Sequence, residues 1–175
     1  MKKCLLLFLI ISIFYVFVSD SIAKSLTIPN DAIRIRIIPN SNSEFDQSIK
    51  LSVKDKLEDR MYSLLKDVKD TSEARKIINN NLETVKSDVE GVLKDRKYDL
   101  GYDVKYGKNY FPPKEYKGVK YDEGYYESLL VTLGKGEGDN WWCVLFPPLC
   151  LIEGEENTDV EYKSFIKEIL KKYMF

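Results

Sequence analysis

Changes in hydrophobic period constrain this chain more than any other feature. Ile33-Arg34-Ile35-Arg36-Ile37 alternates strictly, which predicts a half-buried strand with its isoleucines on one face. From Phe45 the period lengthens. Phe45, Ile49, Val53, Leu57, Met61, Leu64 and Val68 recur at steps of three and four, and Ala74, Ile77, Ile78, Leu82, Val85, Val89 and Val92 continue the stripe. Past Gly101 the period returns to two, predicting strands around Val104, Tyr106 and Tyr110, over Glu127–Leu133 and over Trp141–Phe146. Tyr162, Phe165, Ile166, Ile169, Leu170 and Tyr173 carry a last amphipathic helix. The order strand, helices, three strands, helix predicts an α+β fold. It would be a single domain with a mostly antiparallel sheet of about four strands, and amphipathic helices packed on one face.

Punctuation residues sharpen the boundaries. Pro39 to Ser43 is a turn, Ser43 is a good N-cap, and Asp46 stands where a near-capping box needs an acid. Asp70 or Thr71 caps the next helix, and Asn79-Asn80-Asn81 predicts a bend or break, because Asn favours caps over helix interiors. Gly134-Lys135-Gly136-Glu137-Gly138 lacks the Gly-Lys-Ser/Thr ending of a phosphate loop and opens no helix, so it reads as a flexible hairpin loop between two strands.

The first 23 residues read as a leader. Lys2 and Lys3 precede the apolar run Cys4 to Val18, and Ser21 and Ala23 have the spacing of a signal-peptidase site. The run is shorter than the roughly 20 residues of a membrane span, which ranks an uncleaved anchor second. Residues 24–175 then form the domain, outside the cytoplasm, and Cys143 and Cys150 remain after cleavage. Their spacing fits neither a redox nor a zinc Cys-x-x-Cys motif. Two readings remain: a disulfide closing a small loop, or two buried thiols. The oxidising setting favours the disulfide. On one straight strand the pair would be more than about 20 Å apart, so Phe146-Pro147-Pro148-Leu149 must turn the chain back.

The chain has no histidine, which removes Cys-His and Ser-His-Asp activation and the commonest zinc ligand. A formal net charge of −1 gives no sign of nucleic-acid binding. No catalytic residue, metal site or small-molecule cofactor is indicated. Asp122, Glu123 and Asp139 could belong to a glycosidase pair, but nothing in the sequence fixes two carboxyls at a working separation. Trp141 and Trp142 are adjacent, so on a strand they face opposite sides, and one of them needs a cover or a partner.

Three blocks carry a family resemblance: IRIRIIPNSNSEFDQ at 33–47; Phe111-Pro112 with Lys114, Tyr116 and Gly118, then Gly124, Tyr126 and Glu127; and Leu133-Gly134 through the NWWCVLFPPLC stretch ending at Cys150. Together they resemble the stage II sporulation protein R family. Pro39, Asn42 and Asp122-Glu123 depart from its pattern. The resemblance implies a non-enzymatic signal secreted into the space between forespore and mother-cell membranes. There it would activate a membrane-embedded aspartic protease acting as its receptor, which processes the precursor of an early mother-cell sigma factor. Expected partner contacts are Trp141, Trp142, Pro147, Pro148 and Leu149, with Asn40, Ser41 and Asp46 from the first turn. The alternatives are a cell-wall-directed enzyme and a carbohydrate-binding module.

Overall fold

A computed structural model of the chain describes Ile28 and residues 30–116, 119–149, 166 and 168–173. The expected leader and Cys150 lie outside these, as do Tyr162 and Phe165 of the final helix's expected stripe. The elements run β1 (Ile33–Ile38), α1 (Glu44–Leu65), α2 (Thr71–Asn80), α3 (Leu82–Asp95), β2 (Tyr102–Phe111), β3 (Lys114–Tyr116), β4 (Val119–Tyr121), β5 (Gly124–Leu133) and β6 (Trp141–Phe146). Residues 166 and 168–173 are helical as well. The α+β class is therefore as expected.

The main sheet has the order β2-β5-β1-β6. β2 and β5 are antiparallel, β1 and β6 are antiparallel, and β1 and β5 are parallel, with Ile35 opposite Leu129 on one side and Cys143 on the other. The sheet is thus mixed. A parallel neighbour needs a long crossover, and α1 to α3 occupy the chain between β1 and the strands that follow. β3 and β4 pair only with each other, as a small hairpin inserted between β2 and β5. That hairpin lies in what reads from sequence as an irregular tyrosine-rich link.

The isoleucines of β1 behave as their alternation predicts. Ile33, Ile35 and Ile37 are buried with Leu129, Val131, Leu133 and Val104 against Ile49, Val53, Leu57, Met61, Ile78, Val85 and Val89 of the helices. Three details of the helical stripe differ, the first being that Leu93 rather than Val92 ends the buried row of α3. Phe45 is 51% exposed, stacked beside Tyr98, and Leu65 rather than Leu64 closes the buried row. The helix breaks at Asn81, where both the backbone N–H and the side-chain amide donate to the Ile77 carbonyl. Two bidentate ion pairs tie the layer together: Arg60 to Asp88 between α1 and α3, and Arg75 to Glu127 between α2 and β5.

The expectation of helices on one face only is corrected. A second core forms from Ile28, Ala32, Tyr121, Val144, Leu149, Ile166, Ile169 and Leu170, with Trp142 packed against it. Val144 and Trp142 alternate with the residues of β6 that meet the helical layer, so the C-terminal helical residues cover the opposite face of the sheet.

Candidate interaction site

The loop after β5 is not a hairpin, because β1 lies between β5 and β6. It crosses the exit of β1 and is fastened there. Glu137 and Gly138 donate backbone N–H groups to the carbonyls of Asn40 and Pro39. The Lys135 N–H donates to Asn40 Oδ1 at 3.0 Å, and that of Asp139 to Asn42 Oδ1 at 2.6 Å. Lys50 Nζ reaches the Asp139 carbonyl at 2.9 Å. Glycine is required at two places. Gly134 has φ +57° with Asn40 packed against it, and a Cβ on Gly138 would run into the Ser41 carbonyl. The expected flexible loop is therefore a latched crossover.

Asn40, Ser41 and Asp46 form the other half of that latch. Asp46 accepts from Asn40 Nδ2 at 3.0 Å and from the Ser41 hydroxyl at 2.5 Å, while its own N–H donates to the Ser43 N-cap. The Ser43 N–H donates to Ser41 Oγ, so the Asp46 carboxylate reaches past the cap residue instead of closing a true capping box. The Ser41 hydroxyl holds the Asp46 carboxyl below its ordinary range; burial opposes it, and Asn40 and Ser43 add to it. These three polar side chains are thus engaged inside the fold.

Trp141 and Trp142 do face opposite sides, and both are partly buried. Trp141 packs on the helical core with Lys54 Nζ 5.7 Å from its ring centroid. Pro147, Pro148 and Leu149 are buried. Cys143 packs against the helical core.

Trp142 belongs to an arrangement that sequence reasoning missed. Arg34 and Arg36 alternate with the isoleucines of β1 and so face away from the helices. Arg34 is 0% exposed. Its guanidinium carbon lies 3.4 Å from the Tyr126 centroid, 5.2 Å from Phe111, 5.5 Å from Trp142 and 5.9 Å from Tyr121. The rings brace one another edge-to-face: Phe111 against Trp142 at 5.3 Å, Tyr121 against Trp142 at 5.4 Å and Phe111 against Tyr126 at 6.1 Å. Lys114 Nζ adds a second cation 5.2 Å from the Trp142 ring.

The cage supplies π-faces but no acceptor in hydrogen-bonding geometry. Nε, Nη1 and Nη2 of Arg34 are all buried without a hydrogen-bond partner, as is Nε of Arg36. Arg34 lies over the Tyr126 ring, and the Tyr126 hydroxyl donates to the Asp122 carbonyl. Ser128, opposite Arg34 in register, has its hydroxyl taken by Asn109. Burial pushes the Arg34 pKa below its ordinary value, and Tyr126, Tyr121 and Asp122 push it back. A desolvated cation–π contact contributes about 2 kcal/mol, whereas removing an ion from water costs several kcal/mol.

Two further features surround the site. A cleft of about 270 Å³ is lined by Pro113, Lys114, Glu115, Tyr121 and Asp122, so it shares Tyr121 with the cage. On the other face, Tyr110 and Tyr125 are 47% and 74% exposed and meet edge-on at 5.7 Å. The Tyr110 hydroxyl donates to Glu123. The carboxylates of the glycosidase alternative are not brought together. Asp122 precedes β5 and Asp139 follows it, so the length of that strand, roughly 30 Å at about 3.3 Å per residue, separates them. A glycosidase pair requires about 5–10 Å.

The geometry defines a class: a one-domain α+β protein whose distinctive chemistry is a caged arginine beside a latched crossover. The family model for stage II sporulation protein R (spore_II_R) matches residues 29–156. Stage II sporulation protein R of Bacillus subtilis (strain 168) is 36% identical over 154 residues, covering 86% of this chain and 69% of that protein. The chain belongs to the stage II sporulation protein R family. No solved structure matches it. The latch joins the first and third sequence blocks, and Arg34, Phe111, Tyr126 and Trp142 draw the cage from all three.

Proposed function

We propose that this chain is a sporulation signal that works by binding after secretion into the space between forespore and mother-cell membranes. Its receptor is a membrane-embedded aspartic protease, which then processes the precursor of an early mother-cell sigma factor. The observation that carries this reading is family membership across residues 29–156. Activation by a ligand requires tighter binding to the receptor's active state than to its inactive state, because equal affinity shifts nothing. A chain without histidine suits a role that asks for surface and no nucleophile activation.

The exposed Tyr110–Tyr125 pair is the aromatic surface best placed for a partner, since Trp141, Trp142 and Leu149 are engaged in packing. Co-expression with the receptor protease and the sigma precursor tests the whole reading. Precursor cleavage is expected with this chain and lost on its deletion; cleavage that persists without it sinks the proposal. Tyr125→Ser in a protein of unchanged stability is expected to lower cleavage at limiting dose.

Secretion also bears on the cysteines. We propose that Cys143 and Cys150 are joined once the chain is exported. Mass spectrometry of non-reduced exported protein is expected to show a mass two hydrogens lower, about 2 Da, with reduction costing roughly 2.5 kcal/mol for a loop of about eight residues. Two freely alkylated thiols in the native exported protein would refute the bond.

A further inference from the structure

We propose that Arg34 is a binding anchor for a single carboxylate presented by an otherwise uncharged peptide segment of a protein partner, reached through the Lys114–Asp122 cleft when Tyr121 swings aside. The proposal rests on the signalling reading only in naming a protein as the source of the carboxylate.

Three observations carry it. First, Arg34 is fully buried, and none of its three nitrogens has a hydrogen-bond partner. A residue needed only to fill this space could be apolar; a guanidinium there brings donors that nothing in the cage accepts in good geometry. Second, the donors converge. Arg34 and Arg36 both lie against Phe111, at 5.2 Å and 5.9 Å, each with an unpartnered buried Nε, and Lys114 stands over Trp142. Third, the cover is a single side chain, Tyr121, which also packs in the second core. Tyr121 closes the cage from a two-stranded hairpin that pairs with no strand of the main sheet, and such hairpins are marginal alone. The cleft lies beside that same tyrosine.

The chemistry of the walls selects the ligand. A planar guanidinium fork matches a carboxylate bidentately. Phe111, Tyr126 and Trp142 offer apolar surface to the stem that bears it. Glu115 and Asp122 also line the cleft, which penalises polyanions and favours one carboxylate on an otherwise uncharged stem.

The test uses the purified full-length protein with Trp141→Phe, so that Trp142 alone reports on the cage. Acetyl-Gly-Glu-Gly-amide is titrated at constant ionic strength, with acetyl-Gly-Gln-Gly-amide and inorganic phosphate as controls. The expected result is a saturable change in Trp142 emission with the Glu peptide, absent with the Gln peptide, and a shift of the Arg34 Nε–H resonance in ¹⁵N spectra. Arg34→Lys keeps the cation and loses the fork, so its affinity is expected to fall about tenfold or more. Lys114→Gln is expected to weaken binding less. Equal responses to both peptides, saturation by phosphate alone, or unchanged affinity in a folded Arg34→Lys would overturn the proposal. If Arg34→Lys does not fold, the unmodified cage decides: an Arg34 resonance that stays still while the Glu peptide is added overturns it. The precursor-cleavage assay is independent, so a cage that ignores the peptide beside intact signalling sinks this inference alone.

Discussion

Asp46 shows how much one side chain can organise. Reading the sequence alone, Asn40, Ser41 and Asp46 look like polar residues of an exposed turn, open to a partner. In the fold the carboxylate gathers Asn40 and Ser41, which fixes the turn that receives the crossover loop. Asp46→Asn is expected to lower stability by about 1.5–3 kcal/mol, the usual range for hydrogen bonds to a charged group. Urea unfolding followed by fluorescence would measure it. A loss within experimental error would show that the latch holds without its carboxylate. Ser43→Ala, which removes the N-cap acceptor of α1, is expected to cost about 1 kcal/mol in the same experiment.

Among the elements, β1 and the helices were legible because their pattern is local. Strict alternation identified the core face of Ile33, Ile35 and Ile37, and the Asn79–Asn81 run marked the break between α2 and α3. The sheet order was not legible. Nothing near Gly134–Gly138 in sequence says that β1 will lie between the two strands this loop connects, so it reads as a hairpin. The cage escaped for a related reason. Arg34, Phe111, Tyr121, Tyr126 and Trp142 come from five strands and meet only through register and the β3–β4 hairpin. One local signal was available: Arg34 and Arg36 occupy the second face of a strand whose neighbours bury both faces. Gly138→Ala tests the crossover directly. The added methyl meets backbone at Ser41, so a loss of about 1–3 kcal/mol is expected, as for overpacking. An unchanged urea midpoint would mean that the loop shifts freely.

For the whole molecule, three carboxylates couple stability to pH in the same direction. Ser41 lowers the pKa of Asp46, Arg60 that of Asp88 and Arg75 that of Glu127. Each folded-state value lies below the unfolded one, so the stabilisation is complete above the ordinary carboxylate range and is lost as pH falls through the depressed values. Urea midpoints are expected to stay nearly flat from pH 7 to 5 and to drop from about pH 4 downward. Asp46→Asn should show a shallower acid fall than the parent chain; an equal slope would remove Asp46 from this account. Sheet order has a further consequence, in time. A ribosome delivers β1 before α1, α2 and α3, yet both strands that flank it, β5 and β6, are made only after those helices. The central strand therefore waits, unpaired, while the helices are made. A chain cut short before Trp141 keeps one edge of β1 bare, an open template for another chain. Quality control thus meets this protein as a half-built sheet until β6 arrives.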